Sequence, residues 1–179
     1  TLVLLKPDTV QRNLVGEVIS RFEKAGLKIV AMKFLKCTPE QAIKHYVKND
    51  AEYEALGKRS IAGMEKAGMD TTNVNAREKG EAIINALVKF LTASPIVALV
   101  LEGHQAVKLT RKIIGSTEPL NSDVGTIRGD YTLDSYIMAD ADGRAIRNLV
   151  HASGNVEEAE YEIPVWFKAD EVVDYRNIR

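Results

Sequence analysis

The chain opens on a short apolar run, Leu2-Val3-Leu4-Leu5, stopped by Lys6-Pro7-Asp8, which reads as a strand ending in a turn. Asn13 is placed to cap a helix whose apolar positions Val15, Val18, Ile19 and Phe22 recur at helical spacing. Gly26 sits just past its end, where a left-handed residue is wanted. Residues 27–36 alternate, with Val30, Met32 and Phe34 on one side, and predict a half-buried strand. Thr38-Pro39-Glu40-Gln41 combines a capping box with proline at the first helical position, so a helix starts there. Ile96 to Leu101 is wholly aliphatic and predicts a central strand buried on both faces. Gln105 to Ile114 is amphipathic, with Ala106, Leu109 and Ile113 aligned and Gly115 closing it. Ile146 to Val150 reads as a last strand, and Asn155 caps a last helix with Glu158 at its third position.

Two stretches break this rhythm. Residues 47–82 mix charged and small residues with several glycines, and read as an insert: helix over Ala51 to Lys66, loop over Asp70 to Asn75, helix again from Arg77 to Leu91. Residues 116–145 carry turn formers and little periodicity, too long for an idle connection. The order β-α-β-(α insert α)-β-α-loop-β-α predicts an α+β protein. It is a ferredoxin-like βαββαβ antiparallel sheet with helices packed on it, one domain over 1–179 with a helical insertion at about 47–82.

Charge narrows the partners. Among 179 residues, 24 Lys+Arg against 25 Asp+Glu give a net −1. That argues against nucleic acid or an anionic membrane held by bulk positive charge, but leaves room for a small anion gripped by local cations. Cys37 is the sole cysteine, which excludes an intrachain disulfide and a multi-cysteine zinc site. The longest apolar run, Ile96 to Leu101, is far below the ~20 residues of a membrane span. The N-terminal run reaches Lys6 too soon for a secretory signal, and a cytoplasmic location is expected.

Of three histidines, His45 lies mid-helix beside Tyr46, and His104 opens a helix in an ordinary solvent position. His151 is the informative one: it ends a short apolar strand, and Ala152-Ser153 after it leave room for a ligand. Glu162, on the helix that follows, is placed to reach back to the imidazole. A histidine held at one ring nitrogen by a carboxylate, with the other nitrogen free, is a nucleophile arrangement. Asn148 is three residues back and points to the opposite pleat face unless the strand bends. A second group is cationic: Arg111, Thr117, and Arg128 within Gly125-Thr126-Ile127-Arg128-Gly129-Asp130, with Lys6 adding a point charge. Each is an ordinary surface residue alone. Together, on loops at the ends of core strands, they suit a phosphate, with the glycines letting backbone approach closely. There is no Walker-type loop and no GxGxxG.

Leu4-Leu5-Lys6-Pro7-Asp8, Gly115-Ser116-Thr117-Glu118-Pro119, Gly125 to Asp130 and Asn148-Leu149-Val150-His151-Ala152-Ser153 resemble, in order, the signatures of nucleoside diphosphate kinases. The ending Ala159-Glu160-Tyr161-Glu162-Ile163 to Trp166-Phe167 is similar too. The resemblance implies transfer of the γ-phosphoryl of an NTP to an NDP by a ping-pong route. His151 would be the phosphohistidine, Glu162 would orient its ring, and Ser153 would support the pair. Lys6, both catalytic and phosphate-binding, would join Tyr46, Arg111, Thr117, Arg128 and Asn148 in holding phosphates and ribose. Mg²⁺ would be bound mainly through nucleotide phosphates, without a protein cage. A homo-oligomer is implied, dimers stacked into tetramers or hexamers, with 116–125 and 164–179 contributing. The chain departs from the family in being about thirty residues longer between Tyr46 and Leu87 and about ten longer within 131–145. Counting back from Pro95, the family's base-stacking phenylalanine falls on Ile84, so the aromatic is either missing or replaced from the insert, with Tyr53 the candidate. Gly154 stands where an acidic residue is frequent. The competing expectation is a catalytically weak nucleotide-binding or scaffold protein of the same fold. An RNA-binding module is disfavoured, because it would want aromatics where Ile96 to Leu101 is aliphatic.

Overall fold

The computed structural model describes residues 1–66 and 68–177. Its sheet has four antiparallel strands in the order β2-β3-β1-β4: β1 (Leu2–Leu5), β2 (Lys28–Leu35), β3 (Ile96–Glu102) and β4 (Val150–Ala152). This is the ferredoxin-like arrangement expected from the element order. Alternate residues of a strand face opposite ways, and helices cover both faces of β1 and β3. Val3, Leu5, Val97, Leu99 and Leu101 pack with Val18 and Phe22 of α2 (Val15–Lys24) and Ile114 of α6 (Ala106–Ile114). Leu2, Leu4, Ile96, Ala98 and Val100 pack with Ala42 of α3 (Pro39–Tyr46), Leu91 of α5 (Ala76–Leu91) and Trp166 of α9 (Val156–Trp166). Burial on two sides is why these two strands show no polar alternation.

Several elements differ from the sequence expectation. Lys6-Pro7-Asp8 does not merely turn but opens a short helix, α1 (Pro7–Gln11). Asn13 lies at φ +57° ahead of α2 instead of capping it, and Leu14 takes the cap position. In β2 the pairing passes from Ile29↔Leu101 to Ala31↔Val100, so Val30 is the extra residue of a bulge. That slip turns the strand over: Met32 and Phe34, expected inside with Val30, are 60% and 68% exposed. The bulge carbonyl is used, since Val30 O accepts from Val173 N at 2.8 Å. The last two residues of the 164–179 segment lie outside the described residues. The strand expected at 146–150 begins only at Val150. The 116–145 stretch contains α7 (Ile127–Tyr131) and α8 (Tyr136–Ala141). Such short helices show no period and are set by their caps: Thr126 Oγ1 accepts from Gly129 N, and Ser135 Oγ from Met138 N.

Within 47–82 the two expected helices are found, and α4 (Ala51–Lys66) packs against α5 as a hairpin. Arg77, in the first turn of α5, reaches along the hairpin to clamp Asp50, just ahead of α4, with two hydrogen bonds of 2.7 Å. The helices touch backbone to backbone. A Cβ on Gly57 would lie 1.6 Å from Ala76 O, and one on Gly80 would lie 1.8 Å from Tyr53 O. Gly80→Ala is therefore expected to force the pair apart and destabilise the protein by about 1–3 kcal/mol, the range for overpacking. A melting curve measures this; an unchanged midpoint would mean that the hairpin carries no weight in the folded state. Among the described residues no helix is long and apolar enough to cross a membrane.

Candidate active site

His151 sits in β4 opposite Leu4 of β1. Just before it the chain turns sharply: Leu149 has φ +66°, and Val150 N donates to Asn148 O at 2.7 Å across it. A left-handed leucine is strained and is over-determined here. Asp8 Oδ2 accepts from Leu149 N at 3.0 Å, while Lys6 N and Thr9 Oγ1 donate to Leu149 O at 2.8 and 2.6 Å. The strand does bend, the condition the sequence left open, and Asn148 faces Lys6 and Thr117.

Glu162 of α9 is buried, and its two oxygens are both used. Oε1 lies 2.9 Å from His151 Nε2, and Oε2 accepts from Ser153 Oγ at 2.7 Å. Ser153 Oγ in turn accepts from Leu2 N at 3.2 Å. A carboxylate accepts only, so the neutral imidazole carries its proton on Nε2 and presents a lone pair at Nδ1. Positive charge formed on the ring would sit directly against Glu162.

Lys6 Nζ donates to Asn148 Oδ1 at 2.6 Å, and Asn148 Nδ2 donates to Thr117 O at 2.7 Å, which joins three of the expected residues in one chain. Burial, and secondarily Arg128, push the Lys6 ammonium down to about 8, against the opposing pull of Asp8. Arg111 and the Thr117 side chain are exposed. Tyr46 packs against the cluster that holds Leu2, Leu4 and Trp166, and its burial, with Cys37, Glu162 and Asp8 nearby, raises its hydroxyl pKa, so it stays a neutral donor.

Two expectations need correction. Arg128 is not a loop cation open to ligand: it is 5% exposed and donates to the carbonyls of Asn148 (3.0 Å), Gly115 (3.0 Å), Ser116 (2.9 Å) and Val150. Four of its five N–H groups are thereby spent on backbone. Burial, then Arg111, push its pKa down to about 10. The neighbouring glycine serves the loop itself, since a Cβ on Gly129 would fall 2.1 Å from Asp123 O. Ile84, expected at the base-stacking position, lies in α5 and is only 3% exposed, too little to offer a base a face. Tyr53 is half-buried with its ring 5.7 Å from the Arg77 guanidinium.

Sequence reasoning missed Asp8, although its run with Lys6 and Pro7 was visible, and took His45 as an ordinary helical residue. His45 lies against His151, with ring centroids 4.4 Å apart. His45, His151 and Glu162 are the cluster of metal-ligand types found among the described residues. Two imidazoles and a carboxylate already bonded twice do not suit Mg²⁺, which takes oxygens and keeps waters.

The family model described as nucleoside diphosphate kinase matches residues 1–64 and 60–172. The nucleoside diphosphate kinase of Pyrobaculum aerophilum is 45% identical over 178 residues, covering 97% of each chain. That of Borreliella burgdorferi is 38% identical over 176 residues, covering 98% of this chain and 91% of its own. Among solved structures, an NDP kinase from Pyrobaculum aerophilum superposes with TM-score 0.90 at 43% identity over 97% of both chains. A transition-state mimic of the Borrelia burgdorferi nucleoside-diphosphate kinase, with bound vanadate and ADP, gives TM-score 0.80 at 37% identity, covering 98% of this chain and 90% of that one. With 97% of the Pyrobaculum chain covered, the segments 47–82 and 131–145 are not peculiar to this sequence.

Proposed function

The chain belongs to the nucleoside diphosphate kinase family, and on that premise we propose that Nδ1 of His151 carries the phosphoryl group between the two nucleotides. The observation behind this is the 2.9 Å contact of His151 Nε2 with a carboxylate whose other oxygen is held by Ser153. It fixes the ring and leaves Nδ1 as the nucleophile. The Nδ1 lone pair attacks the γ-phosphorus in line, the bond to the bridging oxygen breaks, and its electron pair leaves with the NDP. The ring becomes a cation that keeps its Nε2 proton against Glu162. A terminal oxygen of the second NDP then attacks the same phosphorus, and the N–P electrons return to Nδ1. Catalysis of such a transfer is mainly positioning and charge stabilisation.

Lys6, Arg111, Asn148, the Thr117 hydroxyl and the neutral Tyr46 hydroxyl face phosphates and ribose in this assignment. Arg128 contributes its one remaining N–H and otherwise shapes the loop. Mg²⁺ arrives on the nucleotide phosphates, as part of the substrate. We read residues 1–179 as one domain with the α4–α5 hairpin inserted, acting in the cytoplasm as a homo-oligomer of dimers, a tetramer or hexamer. Incubation with γ-labelled ATP tests the core assignment. The expected label is on His151, acid-labile, alkali-stable and chased by any NDP; an acid-stable label, or one on another residue, overturns it.

Lys6 gives the proposal a pH signature. Its charged form is the one that burial disfavours, so in the free enzyme the positive charge disappears as pH rises through about 8. The value of kcat/KM, which reports the free enzyme, is expected to fall above that pH, about tenfold per unit. Lys6→Arg keeps its charge and should move the fall upward. A kcat/KM flat to pH 10 in the parent would mean that the Lys6 charge does not face substrate.

A further inference from the structure

His45, in the last turn of α3, is fully enclosed, its side chain 0% exposed. From α9, Trp166 Nε1 lies 3.3 Å from His45 Nδ1. An indole N–H only donates, so Nδ1 must present a lone pair, and the single proton of the neutral ring lies on Nε2. That Nε2 has no partner among the described residues. Glu162 Oε1, the oxygen that holds His151, lies 3.9 Å from the same His45 Nδ1. This is too long for a hydrogen bond, but an ion pair would form if Nδ1 took a second proton. The groups facing His45 are Glu162 and Trp166 from α9, His151 from β4, Lys6 at the end of β1, and Tyr46 beside it. Only Glu162 among them attracts a proton to His45. Burial, then His151 and Lys6, hold its pKa well below the ordinary histidine range.

We propose that the Trp166 indole locks His45 as an uncharged positioning residue, so that Glu162 serves a single imidazole, His151, when that ring becomes a cation. A protonated His45 would draw Oε1 to itself and weaken the 2.9 Å contact behind the nucleophile. The inference rests on His151 as the phosphoryl carrier, yet the state of His45 is readable without any chemistry.

Nitrogen-15 NMR of the whole chain with labelled histidine is the direct test. His45 should show the Nε2–H tautomer, with no titration between pH 5.5 and 8. An Nδ1–H tautomer, or titration in that range, overturns the lock whatever His151 does. Single-turnover phosphorylation by labelled ATP gives the functional arm. Trp166→Phe removes the donor and should move the acid side of the pH profile up by about one unit, a loss of about tenfold at its lower end. The double variant Trp166→Phe/His45→Gln, in which position 45 cannot become charged, should reverse that movement. An unmoved profile in Trp166→Phe, or a shift that persists in the double variant, refutes the inference. No label at all on the parent would instead defeat the carrier assignment, and the tautomer measurement would still decide the lock.

Discussion

His151→Ala should lose phosphoryl transfer by at least about 10⁴-fold, the scale seen when a covalent nucleophile is removed. Neighbours cannot substitute: Ser153 Oγ is spent between Leu2 N and Glu162, and His45 is enclosed with its Nδ1 turned to Trp166. The alanine also strips Glu162 of its imidazole partner, and a buried carboxylate short of donors costs about 1–3 kcal/mol. His151→Gln separates the two effects, because its amide supplies an N–H toward Glu162 but no nucleophile. Both variants should be equally dead in single turnover, while the glutamine melts closer to the parent. Residual turnover within about tenfold of the parent would remove His151 from the mechanism.

Arg128→Ala is expected to act first on the fold. Its guanidinium ties Gly115 and Ser116, after α6, to Asn148 and Val150 on either side of the strained Leu149. Truncation leaves four carbonyls short of a donor, each costing about 1–3 kcal/mol where water cannot reach. Relaxation will spare part of the sum, and a loss of about 3–5 kcal/mol is expected, the range for breaking a buried charged network. For a chain of this size that is a melting point lower by roughly 10 °C. Arg128→Lys should recover little, since an ammonium cannot span four acceptors in a plane. A variant that melts like the parent but phosphorylates slowly would show that Arg128 faces substrate instead.

What was legible followed from local physics. Glycine past α2, the Thr38 cap, the α4 bounds and the Asn155 cap each depend on a few adjacent residues, and each is found in place. The reach of Glu162 back to His151 was also readable, because the two lie on one strand and the next helix, whereas the part of Ser153 followed only from the family resemblance. What escaped depends on distant partners. The bulge at Val30 is set by β3 and the C-terminal segment, and no local pattern marks it. Arg128 looked exposed because its flanking glycines suggested room, yet Gly129 packs on Asp123 and the arginine points inward. His45 and Trp166 are 121 residues apart in sequence, so nothing near either one announces their bond.

The hydrogen bond from Leu2 N to Ser153 Oγ spans 151 residues, and from Ser153 the chain of contacts runs on to Glu162. The setting of His151 therefore exists only once β1 has met the segment from β4 to α9. Contacts of such long separation form late and slowly. On a ribosome, a chain that has emerged through β4 but not α9 holds the histidine without the carboxylate behind it. The histidine therefore gains the carboxylate behind it only when α9 has docked on the sheet, and a chain cut before α9 is expected to accept phosphoryl groups from labelled ATP more slowly than the parent.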